Sequence, residues 1–146
     1  MATKREATIA WEGNVARGHG TVEQTTSGEL NGETISLATR VGDPEGKTSP
    51  EELIAAAHAG CFAMALSNEL SKAETPPERL EATATVTLDE SEGGGFAITR
   101  SDLRVRGRVP GMDADTFREF AERAKEGCVV SRVLNAEITL DAQLEG

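Results

Sequence analysis

The chain has only two sulfhydryls, Cys61 and Cys128, and their settings differ. Cys61 lies in the Ala-rich apolar run Leu53-Ile54-Ala55-Ala56-Ala57-His58-Ala59-Gly60-Cys61-Phe62-Ala63-Met64, and Cys128 follows Lys125-Glu126-Gly127. Two thiols permit what one cannot: a cysteine oxidised to sulfenic acid can be trapped by the second as a disulfide. Cys61 sits too deep in a helical pattern for the helix N-terminus to lower its pKa. A thiolate there needs a cation from elsewhere in the fold. The candidates are Arg40, closing the third predicted strand, and Arg17, in the turn Arg17-Gly18-His19-Gly20. Ionisation alone gains roughly 30-fold over an ordinary thiol at neutral pH. An efficient peroxidase therefore needs the guanidinium also to orient a peroxide and stabilise the departing alkoxide. A planar, permanently charged fork suits that task better than lysine.

Other readings of the same residues stand beside this one. A buried free cysteine is common, and both thiols can be packing residues of a binding or structural protein. His58 and Cys61, three apart on a helix, could form half of a metal site or the pair of a thiol hydrolase or transferase. Cys128-Val129-Val130-Ser131 is not a CxxC motif. Gly93-Gly94-Gly95 reads as a turn, because no helix with a Lys-Ser/Thr pair follows it.

The elements that must position these residues follow from periodicity. Residues 7–13, 20–28 (strand and turn) and 33–40 read as three short strands with glycine turns, a meander. A helix then runs from Pro50 to about Lys72. Ser49 is its cap, Pro50 takes the first helical position, Glu52 completes a capping box, and Pro76-Pro77 forbids continuation. Its small and apolar residues predict burial on most sides, which one small domain cannot supply alone. A hairpin of residues 80–88 and 96–109 turns at Gly93-Gly94-Gly95, its second strand carrying a basic outward face. Asp113 caps a second helix, 114–126, with Phe117, Phe120, Ala121 and Ala124 on one face and Gly127 as a left-handed stop. Residues 136–144 form the last strand. The sum is a single α+β domain, 1–146, ordered strands–helix–strands–helix–strand.

Composition narrows the partners. The 146 residues carry 25 acidic against 15 basic side chains, a formal net charge of −10. That charge repels nucleic acid and anionic lipid, so neither is an expected partner. No leader-like segment opens the chain, and no apolar run reaches the ~20 residues of a membrane span, so a cytoplasmic protein is expected. In that compartment a cysteine pair points to catalysis or metal binding more than to a permanent staple.

The segment from Ser49 to Leu66, with the early Trp11-Glu12-Gly13, the turn Arg17-Gly18-His19-Gly20-Thr21-Val22, Thr39-Arg40 and the tail from Cys128 to Leu144, resembles the OsmC/Ohr family of peroxide-stress proteins, and the OsmC branch more than the Ohr branch. The resemblance covers nearly the whole chain. It implies an intertwined α+β homodimer around a buried central helix. It implies reduction of organic hydroperoxides, and of hydrogen peroxide less well, in defence against peroxide and osmotic stress. Cys61 would be peroxidatic and Cys128 resolving, with Arg40 and Glu51 bracketing the reactive sulfur and Arg17 a weaker candidate. The implied partners are a hydroperoxide, a lipoyl-type or other dithiol reductant, and a second copy of the chain. No cofactor or metal is implied. Val129 stands where such proteins often have proline after the second cysteine.

One geometric constraint accompanies the resemblance. Glu51 and Cys61 lie ten positions apart on one predicted helix, about 15 Å at ~1.5 Å rise per residue. Both can line one pocket if two helices related by a twofold axis bring Glu51 of one protomer to Cys61 of its partner. The expectation is a composite site at a dimer interface.

Overall fold

A computed structural model describes residues Met1–Gly146, which divide into two compact units, Met1–Leu53 and Ile54–Gly146. The first unit opens with β1 (Ala7–Glu12), β2 (His19–Thr25) and β3 (Thr34–Ile35), an antiparallel sheet in the order β1-β2-β3. The predicted meander is present, but its third strand is far shorter than residues 33–40. Ser36 ends it: its hydroxyl accepts from the Thr39 amide, at 3.2 Å, and caps a short helix α1 (Leu37–Val41). Local bonding by a serine side chain outcompetes the strand ladder that the alternation of Ile35 and Leu37 suggested. Arg40 is thereby the basic residue of a last helical turn rather than a strand end.

Helix α2 (Pro50–Lys72) has the predicted bounds. Ser49 Oγ accepts the Glu52 amide at 3.1 Å, but the Glu52 carboxylate takes the Thr48 hydroxyl at 2.9 Å, so the capping box is half formed. Contrary to the expectation from its residues, α2 is long and apolar enough to cross a membrane by length and composition alone. It is also less encased than its composition suggested. His58, Phe62, Leu66 and Leu70, four apart, are fully buried, whereas Ala56, Gly60 and Met64 on the opposite side are exposed. The two stripes are what a 3.6-residue period produces.

In the second unit β4 (Arg79–Glu90) and β5 (Phe96–Arg108) form the predicted hairpin, turning through Gly94 and Gly95 at positive φ. Inward Ser101, Leu103, Val105 and Gly107 alternate with outward Arg104, Arg106 and Arg108 on β5. Helix α3 (Ala114–Gly127) is capped by Asp113, whose carboxylate accepts the Thr116 amide at 2.8 Å. It buries Phe117, Ala121 and Ala124. Gly107 is required here, since a Cβ at that position would stand 2.5 Å from the Phe117 ring. After a second short helix, α4 (Val129–Val133), strand β6 (Glu137–Leu144) returns parallel to β5, giving the order β4-β5-β6. Parallel pairing needs a crossover, and α3 with α4 supplies it. The core joins Phe62, Leu66 and Leu70 of α2 to Leu103, Val105, Phe117, Ala121, Ala124 and Cys128.

Gly127 is not the left-handed stop that its position suggested; it remains in α3, and no positive φ occurs there. Cys128 joins two helices instead. Its amide closes α3 on Ala124 O at 2.9 Å, and its carbonyl accepts the Arg132 amide of α4 at 3.2 Å. Cys128 is a corner between helices, because the run Val129–Val133 continues into another helical turn.

Candidate active site

Each unit holds one pair of the predicted residues. In the second, Cys61 of α2 and Cys128 meet side chain to side chain as free thiols. Cys61 is half-buried and Cys128 is 1% exposed. Burial pushes the Cys61 thiol up, and the neighbouring Cys128 sulfur adds to this against the opposing amides of Val130 and Val129. No cation is among the groups acting on Cys61. Burial works to raise Cys128 as well. The Ser131 amide, the Cys61 thiol, the Ser131 hydroxyl and the Val130 amide outweigh it and hold Cys128 below the ordinary thiol range. These donors favour the charged sulfur; the neutral side chain makes no capping hydrogen bond to α4. Hydrogen bonds to an anion are the stronger class, which decides the direction.

In the first unit Arg40 and Glu51 form a two-pronged ion pair: Nε donates to Oε1 at 2.8 Å and Nη2 to Oε2 at 2.7 Å. Glu51 is 8% exposed. Its bond raises the Arg40 pKa still further, against a smaller loss from burial. The cap of α1 orients Arg40, and the first turn of α2 carries Glu51. Such parallel bonding fixes the plane of the guanidinium. Beside it lies an apolar cleft of about 190 Å³, lined by Trp11, Val15, Ile35 and Leu37 together with Arg40 itself. Arg17 is exposed, in a turn where its amide bonds Asn14 Oδ1 at 2.8 Å, and it does not line that cleft.

His58 is fully buried, with Nδ1 2.6 Å from Ser101 Oγ and Nε2 2.7 Å from Ser131 Oγ. Both ring nitrogens are thus occupied, which leaves neither to pair with Cys61 as a base or to share a metal with it. No group of three His, Cys, Asp or Glu side chains converges as a metal site. Ser101 and Ser131 were not candidates on sequence. A signal existed for Ser101: the period of β5 puts it on the inward face with Leu103 and Val105, where a hydroxyl needs a partner. The cleft residues Val15 and Ile35 had no such signal, and Trp11 entered only through the family resemblance.

Comparison with known proteins agrees with this architecture. The family model for OsmC-like proteins matches residues 42–143. The chain is 48% identical over 145 residues to the Escherichia coli protein named peroxiredoxin OsmC, covering 99% of each. The chain belongs to the OsmC family. This OsmC-family chain is also 33% identical over 100 residues to an organic hydroperoxide resistance protein of Xanthomonas axonopodis pv. citri, covering 64% of this chain and 65% of that one. A solved OsmC-like protein of unknown function from Vibrio cholerae superposes with a TM-score of 0.74 at 16% identity, covering 97% and 99% of the two chains. At that identity the likeness speaks to the fold alone. The α+β fold expected from the sequence is therefore that of OsmC-like proteins.

Proposed function

We propose that this OsmC-family protein is a two-cysteine peroxidase that reduces organic hydroperoxides, and hydrogen peroxide less well, using the whole chain as one domain. The Cys61 thiolate attacks the distal peroxide oxygen. The O–O bond breaks, an alcohol leaves with a proton, and Cys61 becomes a sulfenic acid. The Cys128 sulfur then attacks Cys61 Sγ and releases water as the disulfide forms. A dithiol of lipoyl or similar type returns both thiols by exchange. The observation that carries this reading is the contact of two thiols far apart in sequence, both free and therefore ready to be oxidised together.

Two features support the remaining parts. The groups acting on Cys61 raise its pKa and include no cation, while Arg40 is fixed beside an apolar cleft by Glu51. In this reading Arg40 and Glu51 of one protomer serve Cys61 of its partner, and the cleft takes the alkyl group of the peroxide. The exposed apolar stripe Ala56, Gly60 and Met64 of α2 supports the homodimer this requires; small residues let two helices approach closely. The relatives' names support a role in peroxide defence, which we place in the cytoplasm. Titrating the reduced protein with cumene hydroperoxide and mapping its peptides tests the reading. A bond between Cys61 and Cys128 is expected, and Cys128→Ser should stop at a Cys61 sulfenic acid. Absence of the bond overturns the reading.

A further inference from the structure

His58 is a titratable side chain that the two-cysteine cycle leaves without a task, and its surroundings give it one. It sits one helical turn before Cys61, fully buried, bonded to Ser101 of β5 and Ser131 of α4. Ser131 is the third residue of α4, the helix that Cys128 caps. Three residues on from Cys128, its amide and hydroxyl are among the groups that favour the Cys128 thiolate. A serine hydroxyl has one proton. When that proton points at Cys128, the lone pairs of Oγ face His58, so Nε2 must carry the imidazole hydrogen. Nδ1 is then the acceptor and takes the Ser101 proton. With that tautomer the groups would form a one-way chain, in which Ser101 donates to His58, His58 to Ser131, and Ser131 to the Cys128 sulfur. Each donor polarises the next, and the whole is shielded from water.

Building on the two-cysteine reading above, we propose that His58 is a positioning residue that holds the Ser131 hydroxyl on Cys128, so that the disulfide breaks with its electron pair on Cys128 and the reductant is directed to Cys61. In that step a reductant thiolate attacks Cys61 Sγ, a mixed disulfide forms there, the Cys61–Cys128 bond breaks, and Cys128 leaves as thiolate. The second thiol of the reductant then displaces Cys61 and becomes the internal disulfide of the oxidised dithiol. Exchange is faster when the leaving sulfur is the more stable anion. The Cys128 thiol lies below the ordinary range, with the Ser131 amide and hydroxyl among the groups that hold it there against burial.

The test starts from the protein oxidised with cumene hydroperoxide. It is treated briefly with the monothiol 2-mercaptoethanol, alkylated, and mapped. The mixed disulfide should lie on Cys61 and the alkyl group on Cys128. In Ser131→Ala the adduct should divide between the two sulfurs, and reduction by dihydrolipoamide should slow about tenfold, the effect of one lost hydrogen bond to a charged group. Oxidation of Cys61 should slow by less. Ser131→Thr, which keeps the hydroxyl, should restore both. In a Cys61→Ser background the ultraviolet absorbance of the Cys128 thiolate should titrate at higher pH after Ser131→Ala or His58→Gln, a change that looser packing alone does not direct. If no Cys61–Cys128 bond forms in the unaltered protein, the two-cysteine reading itself fails. If the bond forms, but Ser131→Ala leaves the adduct on Cys61 and the thiolate titration unmoved, the role of His58 and Ser131 alone is overturned.

Discussion

Arg40 and His58 show how burial decides what a charged or chargeable group does. Arg40 is locked flat by two bonds to a Glu51 carboxylate that is itself buried. A lysine cannot reproduce that fork. Arg40→Met is expected to lower kcat/KM for cumene hydroperoxide by about 10²-fold, the scale of one lost transition-state donor, and Arg40→Lys should recover only part of it. His58 is held neutral, since burial pushes it below its ordinary value. Above pH ~6.5 the folded and unfolded chains both carry it uncharged. As pH falls below ~6.5 the unfolded chain binds the proton first, so stability is lost until the lower folded value is reached. Urea midpoints should therefore fall between about pH 7 and pH 5, and fall less steeply in His58→Gln.

At the scale of elements, β5 is the strand on which the second unit is assembled, paired antiparallel to β4 and parallel to β6. Its inward face must fit α3 closely at Gly107, where only a hydrogen fits under Phe117. Gly107→Ala is expected to destabilise by about 1–3 kcal/mol, the usual cost of overpacking. Adding Phe117→Leu should make the pair cost less than the sum of its parts, because the two positions share one contact. Equilibrium denaturation of the four proteins checks this. The corner between α3 and α4 matters equally for chemistry. With its amide committed to one helix and its carbonyl to the other, Cys128 approaches Cys61 from a fixed direction.

For the molecule as a whole, α2 presents two faces with different obligations. One is satisfied by the core of the second unit, through Phe62, Leu66 and Leu70. The other leaves Met64 at 75% exposure in a stripe with Ala56 and Gly60, an apolar face free to pack against a partner. Met64→Arg is expected to convert the proposed homodimer to monomer in sedimentation experiments with little loss of helix content. Peroxide turnover should be lost with it, since the proposed site takes Arg40 from the partner. An active Met64→Arg monomer would require Arg40 to act within its own chain.

The α+β class, the bounds of α2, the long hairpin, the Asp113 cap and the family were legible in the residues alone, because capping chemistry and hydrophobic period are local properties carried by neighbouring residues. The sequence also singled out Cys61, Cys128, Arg40 and Glu51. It did not determine the short helices α1 and α4: Ser36 and Cys128 look like a strand residue and a loop residue until their backbone partners are known. The meeting of the two thiols, the closing of Arg40 on Glu51, and the convergence of Ser101 and Ser131 on His58 emerge from the folded chain. Periodicity reports which face of an element is buried, while the identity of what it is buried against depends on pairings between residues far apart in the chain.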